Sequence, residues 1–224
     1  MEPPTSDEIK NVARKAVNIF SKHRLQVCLF GSTAGALHGC TRVPNDVDLV
    51  VMTESHTQEE LKQILARDRG SGFYTRAPRT YGATYRVLFC TLPGDKRSCK
   101  VDVVIQGTME IPLIPSSRFT YAQGLPIMPI IPLLILKLKG WDDHRLSGRT
   151  DFRQKQYVDV GDINMLLQIA VQEGENLGTD RAHLPNDFVL KGNERLSKFI
   201  EIVRPGRTSI ESWHTIGFEV SQYR

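Results

Sequence analysis

Two aspartates, Asp46 and Asp48, stand one residue apart at the start of an apolar run that continues through residues 49–51. Side chains two positions apart in a β-strand point to the same face, so both carboxylates project together while Val47 and Leu49 face a core. A carboxylate beside buried sequence is unfavourable unless something neutralises it. This stretch therefore predicts a strand with one apolar face and one charged face whose carboxylates must be neutralised.

A third aspartate, Asp102, has the same setting in a later apolar run over residues 99–105. Residues 85–105 are predicted to form a hairpin that carries Asp102 in its second arm. If this arm lies beside the strand of Asp46 and Asp48, three carboxylates converge and their like charges oppose folding. A hard divalent cation, Mg²⁺ or Mn²⁺, would relieve the repulsion, because such ions prefer oxygen ligands.

A Gly31-Ser32 pair separates a strand-like run, residues 25–30, from a short predicted helix over residues 32–38. A tight turn from strand to helix directs free backbone N–H groups and the positive end of the helix dipole at a ligand. Glycine allows a phosphate to approach closely, and the serine hydroxyl can donate a hydrogen bond to it. A polyphosphate cradle beside three carboxylates is typical of phosphoryl or nucleotidyl transfer with two metal ions.

These segments together resemble the signature of the nucleotidyltransferase superfamily that includes DNA polymerase beta. The matching sequences are "FGS", a spacer of thirteen residues, "DVDLVV" and, later, "KVDVVI", so the resemblance covers roughly residues 25–105. It implies that Gly31 and Ser32 bind a triphosphate. It also implies that Asp46 and Asp48 ligate the metal ions, and that Asp102 completes the metal site and helps to deprotonate the attacking hydroxyl.

The C-terminal half carries a second resemblance, in "LLILKLKGWDDHR" and "KQYVDVGDINMLL". These segments are similar to the helical part of minimal nucleotidyltransferases, including the abortive-infection toxin type, in which lysines near the ends of two helices face the nucleotide. The matching positions are Lys137 and Lys155, with Asp159 and Asp162 following. A surface lysine with a packed aliphatic stem explains Lys137 equally well. Residues 174–224 resemble no known acceptor-binding module.

The order of predicted elements indicates an α/β (α+β) fold of nucleotidyltransferase type, with a small mixed sheet, helices on one face and the carboxylates on the other. Five prolines between residues 112 and 132 mark an irregular connection. Helical signals follow over residues 133–145, 157–173 and 193–203. We place a boundary near Gly124 and predict a catalytic core over residues 1–124. Residues 125–224 are predicted to form a mostly helical part that closes the cleft.

The composition is that of an ordinary soluble globular protein, with 40% hydrophobic and 24% charged residues among 224. A net charge of +4 without a dense Lys/Arg run permits an anionic partner but does not require nucleic acid. Four cysteines without a C-x-x-C pair indicate free thiols and no zinc site. The N-terminus lacks signal-peptide character, and no apolar stretch is long enough to span a bilayer, so a cytoplasmic protein is expected.

The predicted function is therefore metal-dependent transfer of an NMP group from an NTP, with ATP expected, to an acceptor hydroxyl with release of pyrophosphate. The acceptor is open between a small molecule, a tRNA end and a protein side chain, and the composition favours a small molecule or a protein over long nucleic acid. One alternative is a non-catalytic nucleotide- or partner-binding module with the same fold, and another is a nucleic-acid-binding structural domain. A serine hydrolase is not supported, because Thr33 occupies the nucleophile position of the Gly-rich segment.

Overall fold

The structure is a computed structural model that describes residues 2–79 and 82–220. The chain separates into two compact units, one formed by Met1–Leu37 with Thr41–Met128 and the other by His38–Cys40 with Pro129–Arg224. The first unit contains a β-sheet with helices, and the second is helical.

The first unit is built on one mixed sheet of seven strands among the described residues. Its elements are α1 (Ser6–Lys22), β1 (Gln26–Leu29), α2 (Gly31–His38), β2 (Asp46–Met52), α3 (Gln58–Arg67), β3 (Phe73–Arg76), β4 (Val87–Thr91), β5 (Ser98–Ile105), β6 (Thr120–Ala122) and β7 (Leu125–Ile127). The spatial order is β3-β4-β5-β2-β1-β7-β6, with β2 parallel to β5, β1 parallel to β7 and the other neighbours antiparallel.

The two faces of this sheet differ as alternation along the strands predicts. One face is apolar and fully buried, with Val47 and Leu49 on β2 and Val101 and Val103 on β5. Helices α1 and α3 pack against the sheet. The opposite face carries the aspartates, and it is called the carboxylate face below. The predicted α/β class, with helices on one side and carboxylates on the other, is confirmed.

Helix α3 begins where its sequence predicts, because Thr57 and Glu60 form a capping box. The Thr57 N–H donates to the Glu60 carboxylate at 2.7 Å, and the Glu60 N–H donates back to the Thr57 hydroxyl at 3.3 Å. Two of the N–H groups that a helix start leaves unpaired are thereby satisfied.

The proline-rich connection contains a hairpin, β6–β7, that the sequence does not reveal. Both strands have three residues, and Pro126 lies inside β7, where a proline normally argues against a strand. Strand β7 joins the sheet through the pairing of Leu29 with Ile127, and the Met128 N–H donates to the Leu29 carbonyl at 2.8 Å. This short strand therefore depends on a partner that is distant in the sequence.

The second unit contains α4 (Ile130–Leu146), α5 (Thr150–Arg153), α6 (Lys155–Gln172), α7 (Leu177–Asp180), α8 (Asn186–Val203) and α9 (Arg207–Thr215). Helices α6 and α8 both pack on α4. Gly192 brings α8 close to α4, since a Cβ there would lie 3.1 Å from Ile135. Helix α4 begins before the predicted start and includes Pro132 in its first turn, where a missing N–H is tolerated. Among the described residues, no helix combines the length and apolar character needed to cross a membrane.

Candidate active site

Three aspartates converge on the carboxylate face. The parallel register of β2 and β5 sets Asp48 directly opposite Asp102. Each of Asp46, Asp48 and Asp102 offers an oxygen, and these three oxygens lie within 4.8 Å of one another. Strands β2 and β5 are therefore neighbours, as the predicted convergence of the three carboxylates requires.

The donor set of this cluster, called the aspartate triad below, suits a hard divalent cation. It offers only carboxylate oxygens, the ligands that Mg²⁺ and Mn²⁺ prefer. All three side chains are half-buried, so oxygens of a substrate can also reach an ion held there. Mg²⁺ in phosphate-transferring sites is commonly bound in this way, through a few carboxylates and the substrate phosphates.

Lys100 is a counter-ion of the aspartate triad that the sequence analysis missed. Its ammonium contacts the Asp102 carboxylate and lies 3.7 Å from that of Asp46. Burial acts to lower the pKa of Lys100, but the hydrogen bond to Asp102 and the charges of the triad outweigh burial and raise it. The residue is therefore an ammonium. The parity rule that pairs Asp46 with Asp48 also places Lys100 beside Asp102, so the sequence did contain the signal.

The Gly31-Ser32 turn is bonded directly to the triad. The Ser32 N–H donates to Asp48 Oδ2 at 3.1 Å, and the Ser32 hydroxyl donates to the same oxygen at 3.2 Å. The next residue, Thr33, ties the two segments a second time: its hydroxyl donates to the Asp46 carbonyl at 3.0 Å and accepts from the Asp48 N–H at 3.2 Å. The N-terminus of α2 and the start of β2 thus hold each other in place.

Glycine is required at position 31 for two separate reasons. Its φ of +59° lies in the left-handed region, which other residues occupy only with strain. In addition, a Cβ at this position would lie 2.5 Å from Asp48 Oδ2, closer than any real contact. The close approach of the turn to Asp48 therefore depends on the missing side chain.

We expect Gly31→Ala to destabilise the protein more than Gly124→Ala, which is a matched control. Gly124 has a similar φ of +75°, but nothing lies within 4 Å of a Cβ added there. Left-handed strain alone lowers the free energy of unfolding by about 1–2 kcal/mol, or roughly 2–8 °C in melting temperature for a chain of this size. Circular dichroism melting curves measure both variants. Equal shifts would show that Asp48 does not need the close approach.

The two lysines predicted to contact nucleotide lie in the helical unit and have separate partners. Lys137 on α4 donates to Asp162 on α6 at 2.6 Å, with side chains only 11% and 7% exposed. Lys137 and Asp162 therefore form a buried ion pair, and Lys137 is not a solvent-exposed surface lysine. Lys155, at the start of α6, places its ammonium 4.5 Å from the centroid of the Phe152 ring.

Asp159, which also follows Lys155 in the sequence, has its partner within the helical unit as well. Asp159 Oδ2 lies 2.5 Å from His144 Nδ1 on α4. Together with the Lys137–Asp162 pair, this contact lines the packed seam between α4 and α6 with polar groups. The structure thus gives both aspartates a local partner, which the sequence resemblance alone did not specify.

Comparison with solved structures identifies the fold. The crystal structure of an antigenic nucleotidyltransferase-like protein from Paracoccidioides brasiliensis matches with a TM-score of 0.66 at 16% identity, over 98% of this chain and 98% of that chain. The chain has a nucleotidyltransferase fold. The Helicobacter pylori protein JHP933 also matches, with a TM-score of 0.48 at 17% identity, over 96% of this chain and 90% of that chain. No protein-family model and no curated protein matches the chain.

The nucleotidyltransferase fold confirms the resemblance that the three sequence motifs implied. At 16% identity, the match establishes the fold alone, so the chemistry must be argued from the side chains of this chain. Those side chains are the aspartate triad, Lys100 and the Gly31-Ser32 turn.

Proposed function

We propose that this chain is a metal-dependent nucleotidyltransferase that transfers an NMP group from an NTP, with ATP as the expected donor, to an acceptor hydroxyl. The observation that carries the proposal is the convergence of three carboxylates, within 4.8 Å, on one face of a nucleotidyltransferase fold. Lys100 compensates one of these three negative charges, and the repulsion that remains favours a bound cation.

In the proposed reaction, the acceptor oxygen forms a bond to the α-phosphorus of the NTP. The bond from that phosphorus to the bridging oxygen breaks, and pyrophosphate leaves with the electron pair. Asp46, Asp48 and Asp102 would hold Mg²⁺ or Mn²⁺, and Asp102 would help to accept the proton of the acceptor hydroxyl. The bound ion supplies Lewis-acid polarisation of the α-phosphate and lowers the pKa of the attacking hydroxyl.

The chain's other contribution is to bind and orient the triphosphate. The Ser32 N–H and hydroxyl, which both donate to Asp48 in the structure, lie at the N-terminus of α2, where backbone donors and the helix dipole favour an anion. The resemblance in the helical part adds Lys137 and Lys155 as proposed triphosphate contacts. An in-line displacement needs correctly placed reactants more than further covalent chemistry, and positioning is the role proposed for these groups.

A first experiment tests nucleotide binding and its dependence on metal. We expect ATP to raise the melting temperature only when Mg²⁺ is present, because the triad repels the triphosphate unless a cation lies between them. ATP at about a hundred times its Kd should add on the order of 2.7 kcal/mol of stability, or roughly 5–10 °C. Thermal shift with Mg²⁺ and with EDTA measures this, and the other three NTPs establish donor preference. An equal shift in EDTA would contradict a shared metal–nucleotide site.

The reaction class is tested by following label from two positions of the same nucleotide. Protein incubated with Mg²⁺, acceptor extract and α-labelled ATP should place label on an acceptor, whereas γ-labelled ATP should yield only labelled pyrophosphate. Label passed on from the γ position would indicate phosphoryl rather than nucleotidyl transfer. Binding without any transfer would favour the non-catalytic module.

A further inference from the structure

Two aromatic residues continue the carboxylate face beyond the aspartate triad. The strand register pairs Tyr74 on β3 with Phe89 on β4, Phe89 with Lys100 on β5, and Lys100 with Asp46 on β2. Directly paired residues point to the same face of a sheet. Tyr74 and Phe89, called the aromatic row below, therefore lie on the same face as the triad, and Lys100 lies between them and Asp46.

The rings of the aromatic row are nearly parallel to each other and partly exposed. Their centroids are 5.9 Å apart, with an angle of 23° between the ring planes. Both residues are only half-buried, whereas Phe73, Leu88 and Cys90 on the same two strands point to the opposite face and are buried. The helix-covered core is thus completed by other side chains of β3 and β4, and the aromatic row is not needed for it.

The guanidinium of Arg76 lies over the aromatic row and adds a positive charge there. Its guanidinium lies 4.9 Å from the centroid of the Tyr74 ring and 5.2 Å from that of Phe89, and it donates to the Tyr74 hydroxyl at 2.9 Å. Within the described part of the chain, Arg76 forms no ion pair with a carboxylate. Its exposed guanidinium is therefore accessible to a ligand, and a phosphate group matches both its charge and its hydrogen-bonding fork.

We propose that the aromatic row and Arg76 form an acceptor subsite, and that the acceptor is the 3′ end of a single-stranded nucleic acid. This inference rests on the proposed nucleotidyl transfer and specifies its acceptor. Unpaired bases stack on aromatic rings and on arginine planes, and the adjoining backbone phosphates require cations nearby. Tyr74, Phe89 and Arg76 supply both kinds of contact on one surface.

The position of the row relative to the triad agrees with this assignment. In the strand order β3-β4-β5-β2, Asp102 on β5 lies between the aromatic row and the two aspartates of β2. Phe89 is one strand from Asp102 and two strands, roughly 10 Å, from Asp46. A nucleic acid whose bases stack on the row can extend its terminal 3′-hydroxyl across one strand spacing to Asp102, the carboxylate proposed to accept the proton. The 3′ oxygen bonds to the α-phosphorus as pyrophosphate leaves.

The composition favours a small-molecule or protein acceptor because the sequence contains no dense Lys/Arg run. Here the cation and the two rings come from separate strands: Arg76 and Tyr74 belong to β3 and Phe89 to β4. Only the folded sheet brings all three onto one face. A cation beside stacking rings complements a base with its phosphate better than a small neutral acceptor, so the sheet favours nucleic acid.

The test measures binding of a short, 5′-fluorescein-labelled single-stranded RNA to the full chain by fluorescence anisotropy, without NTP. We expect the double variant Tyr74→Leu, Phe89→Leu to raise the Kd roughly ten- to a hundredfold, because leucine keeps the apolar packing and removes the rings. Tyr121→Leu is the matched control, an exposed tyrosine on edge strand β6 at the far side of the sheet. Arg76→Gln should weaken binding and reduce its dependence on salt.

The outcomes separate this inference from the proposed function. RNA bound equally by the wild type and the double leucine variant would overturn the aromatic subsite, even if Mg²⁺-dependent ATP binding is intact. Competition by a free nucleoside as strong as that by RNA would also overturn it, in favour of a small acceptor. With α-labelled ATP, RNA ending in a 3′-hydroxyl should gain label and 3′-deoxy RNA should not. Failure of ATP binding in the wild type would instead count against the proposed function.

Discussion

The Asp48→Asn variant is expected to fold like the wild type and to lose nucleotidyl transfer by roughly a thousandfold or more, about 4 kcal/mol of activation free energy. Asp48 lies at the centre of the site, opposite Asp102 and within hydrogen-bond distance of both Ser32 donors. Asparagine keeps an oxygen that accepts from Ser32, but it removes the negative charge that holds a divalent ion. We therefore expect the substitution to lower the transfer rate without changing the fold.

The stability of the same variant provides a second, independent readout. Without metal, the free energy of unfolding of Asp48→Asn should equal or exceed that of the wild type, because one of three mutually repelling charges is gone. With Mg²⁺, the wild type should gain stability and the variant should gain less. Asp95→Asn, an exposed aspartate in the turn between β4 and β5, is the matched control for charge removal. Transfer that persists in Asp48→Asn would refute the metal role of this residue.

The parts of the fold that local sequence rules govern were predictable. Helix α1 and the capping box of α3 follow from signals a few residues long, and so does the alternation along β2 and β5. The β6–β7 hairpin carries no such signal, because its strands are short and one contains a proline. Its place in the sheet is set by the pairing of Leu29 with Ile127, which no local rule determines.

The candidate site divides in the same way between local and long-range information. That Asp46 and Asp48 share a face follows from strand parity, but the approach of Asp102 depends on the register between β2 and β5. The motif resemblance supplied that pairing in advance. Strand parity also places Lys100 on the same face as Asp102, but the sequence analysis did not include this lysine in the site.

The aromatic row could not be derived from the sequence. Tyr74 and Phe89 come from different strands, and their place beside Lys100 depends on two antiparallel registers. The buried Lys137–Asp162 pair depends likewise on how α4 packs against α6. In each case the residue types were visible, but the contact is created by packing between elements that are separate in the chain.

Asp102→Ala is expected to separate catalysis from nucleotide binding. Asp46 and Asp48 remain on β2 and can still hold an ion with a triphosphate, so Mg²⁺-dependent ATP affinity should change by no more than about tenfold, or roughly 1.4 kcal/mol. Transfer should fall by roughly a thousandfold or more, because the carboxylate proposed to help activate the acceptor hydroxyl is gone. Thermal shift measures the ATP affinity, and transfer of the α-label measures the rate, both on one protein preparation.

A second substitution of Asp102 is needed, because Asp102 also holds the Lys100 ammonium. The Lys100 ammonium lies 3.7 Å from Asp46 in the wild type, and without Asp102 its charge is expected to compete there with a metal ion. Asp102→Asn keeps an oxygen for Lys100 but removes the basic carboxylate. If Asp102 takes part in the chemistry, both variants are slow while both bind ATP. If Asp102 serves only to hold Lys100, the asparagine variant transfers normally. If the wild type and both variants bind ATP alike and none moves an α-phosphate to any acceptor, the chain is a binding module on a nucleotidyltransferase fold.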